Sequence, residues 1–71
     1  MGEEIRCSVI SDRLCVEKHT SVETHYIYVA GKIESGILHI PKEHLRRDGF
    51  NESEIDQICK EVANYPSVEI Y

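Results

Sequence analysis

Apolar and polar residues alternate along the first forty positions, and helical spacing takes over after residue 50. Period two marks half-buried strands, and apolar positions three and four apart mark one face of a helix. Ile5, Cys7 and Val9 alternate with Arg6 and Ser8; Leu14 and Val16 resume the alternation after Ser11-Asp12. A two-residue turn at Ser11-Asp12 sets Val9 against Leu14 and Cys7 against Val16. Cys7 then points to the apolar side of the hairpin and Cys15 to the other, too far apart in direction to be bridged. A third strand is expected from Thr24 to Ile33, rich in the β-branched and aromatic residues that strands favour. Glu34-Ser35-Gly36 reads as a three-residue hairpin loop ending on a glycine at positive φ. That register sets Ile33 against Ile37, Gly31 against His39 and Ala30 against Ile40.

Pro41 fits the first position of a helix, where its missing N–H would be unpaired anyway. Lys42 to Arg47 come next as a short helix whose last turn carries Arg46 and Arg47, suiting the negative end of the helix dipole. Gly49 suits the left-handed position after it, with Phe50 packing back on Leu45. Asn51 with Glu54 three residues on has the logic of a capping box. Ile55, Ile58, Cys59 and Val62 then share one helical face. Asn64-Tyr65-Pro66 ends that helix, and Ser67 to Tyr71 read as a brief last strand with Val68 and Ile70 inward.

The predicted fold class is α+β: a four-stranded antiparallel β-meander, a short helix, a longer amphipathic helix packed on one sheet face, and a brief C-terminal strand, all in one small domain over residues 1–71. Setting Val16 opposite Ile27 in the second hairpin gathers Ile5, Cys7, Val9, Leu14, Val16, Ile27, Val29, Ile33 and Ile37 on the side that the longer helix covers. The other side then carries Tyr26, Tyr28, Ala30, Leu38 and Ile40, with Ile10 further off, among Arg6, Arg13, Glu17 and Lys32. One helix does not cover both sides. Tyrosine gives large contact area at small entropic cost, so Tyr26, Tyr28, Leu38 and Ile40 are the expected protein-binding residues. The partner is another protein or a second copy of the chain.

Composition narrows the classes without choosing among them. Seventy-one residues bury only about 60% of the surface of the unfolded chain, which leaves a small core. The net charge of −5 disfavours nonspecific binding to nucleic acid or to an anionic membrane, both of which reward excess Lys and Arg. The longest apolar run, Tyr26 to Ala30, is far short of the roughly 20 residues of a spanning helix. The leading MGEEIR is acidic, lacks the layout of a signal peptide, and has Arg6 where a myristoylation motif wants Ser or Thr. Three cysteines without a CxxC pair suit free thiols in a reducing compartment. A cytoplasmic location is the expectation.

Four histidines and three cysteines raise a metal-binding alternative. Zinc ligands usually come as closely spaced pairs, and no pair here has that spacing. His39 and His44 stand on either side of Pro41, the first expected half-buried against Gly31 and the second exposed on the short helix. No metal site and no cofactor are therefore assigned. No GxSxG, phosphate-cradling glycine loop or HExxH occurs, so the expectation is a non-enzymatic protein. A nucleic-acid regulator is the other alternative, through Lys42, Arg46 and Arg47. At this point GILHIPKEHLRRDGF resembles the strand–Pro–helix segment of AbrB-type transcription regulators and antitoxins: Gly36, Ile40, Pro41, Lys42, Glu43, Gly49 and Phe50 sit at matching spacing. The resemblance spans residues 36–50. It departs at His44 and Asp48, where the family has apolar residues, and after Asn51, where the family continues as strand. It is a likeness of one local segment, a strand turning into a helix, and carries no membership.

Overall fold

The computed structural model describes residues 4–71. Met1, Gly2 and Glu3, with which the acidic start and the myristoylation reading begin, lie outside the described residues. The elements run β1 (Glu4–Ile10), β2 (Arg13–His19), β3 (Thr24–Ala30), β4 (Lys32–Glu34), β5 (Ile37–Ile40), α1 (Lys42–Arg47), α2 (Glu52–Val62) and β6 (Val68–Ile70). The fold is α+β, but the sheet is not one four-stranded meander. β1, β2 and β3 form one antiparallel sheet, and β4, β5 and β6 form a second in which β6 pairs parallel to β5.

The first hairpin has the expected register, Cys7 opposite Val16 and Val9 opposite Leu14, and the second sets Val16 opposite Ile27. The expected long third strand breaks at Gly31. There the chain passes so close to β5 that a Cβ on Gly31 would lie 2.7 Å from the His39 carbonyl oxygen and 2.7 Å from Ile40 Cγ1. Only glycine permits that approach, and it is the corner between the two sheets.

The loop after β4 is also one residue shorter than expected. Ser35 and Gly36 alone form it, both at positive φ (55° and 78°), which is the geometry of a two-residue type I′ turn. Ile33 therefore faces Leu38, and Glu34 faces Ile37. A slip of one residue moves every side chain of a strand to the opposite face. Leu38 and Ile40 accordingly lie in the core, 2% and 0% exposed, while Ile33 is 50% exposed. This corrects the assignment of Leu38 and Ile40 to an exposed binding face.

The helices begin and end as their sequences dictate, with one adjustment. Pro41 is the residue before α1, extended at φ −67° and ψ 142°, rather than its first helical position. The α1 end closes as a Schellman motif: Phe50 N–H donates to Leu45 O and Gly49 N–H to Arg46 O, both 3.1 Å. At α2, Glu54 N–H donates to Asn51 Oδ1 (2.8 Å) and Asn51 N–H to Glu54 Oε1 (2.9 Å), a complete capping box. The buried Glu54 carboxylate also holds Lys18 Nζ at 2.6 Å, which ties β2 to the start of α2. Lys18 Nζ lies 5.8 Å from the Phe50 ring centroid, within reach of the ring face. Ile55, Ile58 and Val62 of α2 meet Ile5, Cys7, Leu14 and Val16 of the first sheet and Leu38, Ile40 and Val68 of the second in one core.

Candidate functional site

The side of the β1–β2–β3 sheet away from α2 is built by strand alternation. Cys7, Val16 and Val29 point into the core, so their neighbours point away from it. The registers align these neighbours in rows across the sheet: Glu4–His19–Thr24, Arg6–Glu17–Tyr26, Ser8–Cys15–Tyr28 and Ile10–Arg13–Ala30. Tyr26 and Tyr28 are 58% and 50% exposed, and Ile10 is 50% exposed. Cys15 lies buried between Ser8 and Tyr28. The Tyr28 phenol is pushed above its ordinary pKa, first by the charge of Cys15, then by desolvation and by its hydrogen bond with Cys15. Glu17 holds His19 (3.0 Å), and His19 in turn meets Thr24 Oγ1 (3.1 Å).

Beside this face runs the outer edge of β3. Thr20 N–H donates to Glu23 O (2.9 Å) and Gly31 N–H to Asp12 O (3.1 Å) at the two ends of the β2–β3 ladder. Hydrogen-bonded pairs alternate along an antiparallel ladder. His25, Ile27 and Val29 therefore turn their N–H and C=O toward β2, and Thr24, Tyr26, Tyr28 and Ala30 turn theirs outward. His44 confirms the phase: its Nδ1 donates to the Ala30 carbonyl from the open side, at 3.1 Å. This corrects the expectation of an exposed His44, which is half-buried at that position.

The remaining candidate residues are dispersed. Arg46 donates to Glu52 through Nε (2.8 Å) and Nη2 (3.2 Å), and to Glu43 as well. These bonds hold its guanidinium pKa above the usual arginine value. Lys42 and Arg47 are exposed beside it on α1, so the three cations bring less than their formal charge to a phosphate. His39 is half-buried and bonds Glu69 at 3.0 Å, whereas His25 bonds Glu23 at 2.8 Å near the far hairpin end. Among the described residues no group of three or more His, Cys, Asp or Glu converges as a metal-binding set would. The Cys7 thiol is pushed up to about 12, first by burial and then by the charge of Glu61, Cys15 and Glu17. A thiol so protonated is a poor nucleophile.

The outward-turned backbone of β3 escaped the sequence reading. Its signal was there: Thr24 to Ala30 contains no Lys, Arg, Asp, Glu or Pro, the residues that proteins place on edge strands to block pairing. No protein-family model, curated protein or solved structure matches the chain.

Proposed function

We propose that the protein is a non-enzymatic binding module that engages a protein partner, a second copy included, through the sheet face bearing Tyr26 and Tyr28. The observation that carries this is two tyrosines on adjacent rows of a face that no helix of the described residues covers. Aromatic side chains in such a position give much contact area for little lost entropy. Leu38 and Ile40 take no part, because they are core residues. Ile10 takes their place at the far corner of the face, with Arg6, Arg13 and Glu17 as the polar surround.

The test compares the wild-type chain with the Tyr26→Ala/Tyr28→Ala variant. Both residues are exposed, so the variant keeps its circular dichroism spectrum. Proteins crosslinked to the wild type, or its own dimer, are then quantified for each chain. Loss of affinity by at least about tenfold in the variant is the expected result, the scale of truncating interface tyrosines. Equal recovery by the two chains overturns the reading.

A further inference from the structure

We infer that a second copy of the chain occupies this side of the molecule by pairing its β3 antiparallel with β3, about a twofold axis at Tyr26. The inference rests on the reading of this sheet as the interaction surface, and it names the occupant and the register.

The edge itself supplies the argument. The outward N–H and C=O groups of Thr24, Tyr26 and Tyr28 have no partner within the described chain, and the next outward carbonyl, Ala30, is taken by His44. The open stretch thus runs from Thr24 to Tyr28 with Tyr26 at its centre. A twofold axis there pairs Thr24 with Tyr28 of the second copy, Tyr26 with Tyr26, and Tyr28 with Thr24. All the open groups are then satisfied, in about six hydrogen bonds, two for each facing pair. An axis at Ile27 would instead bring Thr24 of the second copy onto Ala30, where His44 already sits.

The side chains agree with this register. On the Tyr face, Tyr26 lies beside Tyr26 of the second copy and Tyr28 beside Thr24, the aromatic–aromatic and aromatic–β-branched neighbours that stabilise antiparallel pairs. On the opposite face, half-buried Ile27 gains cover from His25 of the second copy. No carboxylate or ammonium group lies between Thr24 and Ala30 to repel a copy. The hairpin end is also accessible: residues 20–26 are all exposed. The contact is isologous and closes at two copies, giving one continuous sheet in the order β1-β2-β3-β3-β2-β1.

The experiment uses the full chain. Its mass is measured by sedimentation equilibrium from micromolar to millimolar concentration, and amide hydrogen exchange is followed by NMR at both ends of that range. The expected result is a rise from 8.2 kDa toward twice that mass. The Tyr26 and Tyr28 amides slow by at least about tenfold with it, while those of Ile27 and Val29, already bonded to β2, change little. Tyr26→Pro removes an outward N–H without touching the β2 ladder, so it is expected to stay folded and monomeric. Should that variant fail to fold, exchange in the unaltered chain still decides. A mass of one chain throughout overturns the inference, and so does a dimer whose Tyr26 and Tyr28 amides exchange as fast as in the dilute protein. A monomer that binds another protein, and loses it in Tyr26→Ala/Tyr28→Ala, overturns self-pairing alone. Binding indifferent to that variant overturns the face reading.

Discussion

Among the described residues, Tyr65 reaches a backbone group in the middle of the outer edge of β1, whereas along the outer edge of β3 His44 reaches one at its end, Ala30. Tyr65 Oη donates to the Cys7 carbonyl at 2.9 Å, filling an outward backbone group in the middle of β1. α2 adds Ile55, Ile58 and Val62 beside it. The two edges belong to one sheet and differ in the segments of chain that return to them. Residues 51–65 fold back over β1, whereas the chain leaving β3 turns away at Gly31 into the second sheet. An unblocked edge is a template for another strand, and the pairing proposed above uses the β3 edge.

Gly31 is the corner that keeps the β3 edge separate, and changing it should have the largest effect. In Gly31→Ala the new methyl meets the His39 carbonyl oxygen at 2.7 Å and the Leu38 and Ile40 side chains at 2.8 and 2.7 Å. The backbone oxygen has no rotamer to escape into. Overpacking of this kind costs about 2–3 kcal/mol, which in a chain of this size lowers Tm by roughly 10 °C or more. Urea denaturation followed by circular dichroism measures it. A change under about 0.5 kcal/mol would mean that the two sheets do not meet there.

That corner also marks where sequence reasoning reached and where it stopped. Ser11-Asp12, Gly49-Phe50 and Asn51 with Glu54 each depend on residues a few positions apart, and each formed as read. The second sheet depended on a choice that local pattern leaves open. Ile33 and Ile37 are apolar, but so are Leu38 and Ile40, and a loop of two or three residues decides which set is inside. Ser35 at positive φ is an uncommon conformation for a residue with a Cβ, so the sequence alone favoured the longer loop. Nor does any short-range pattern bring Glu69 beside His39 or set β6 parallel to β5. On the proposed binding face, the exposure of Tyr26 and Tyr28 was legible from alternation, because the β2–β3 register held. Leu38 and Ile40 were lost with the slip.

The β1 edge can be loosened without changing its packing. Tyr65→Phe keeps the ring against the core and removes its hydrogen bond to Cys7 O. A loss of about 1 kcal/mol is expected, the net worth of one such bond. Tyr28→Phe makes the same chemical change beside the open edge, on a side chain half exposed to water. Its expected change is below about 0.5 kcal/mol. Chemical denaturation of the two variants side by side tests the contrast, and equal losses would remove the distinction between the edges.

The smallest effect concerns the pair that joins α1, which reaches the end of the β3 edge at Ala30, to α2, which packs against β1. Arg46 holds the Glu52 carboxyl below its ordinary pKa of 4.5, chiefly by hydrogen bonding and with help from its charge and that of Lys42. A carboxyl whose folded-state pKa is depressed binds its proton more readily in the unfolded chain. Its contribution to stability is therefore fully present above the unfolded value and is lost as the pH falls through the folded one. Glu52→Gln, which has no such proton to take up, should be less stable than the wild type at neutral pH. The gap should narrow as the pH falls below about 5 and through the depressed folded-state value. Both partners are well exposed, so the gap should also shrink in high salt, as a solvent-screened pair requires. Thermal melts of the two chains across that range read it directly. A gap that stays constant with pH and salt would assign the effect to helix propensity at the start of α2 instead of to the ion pair.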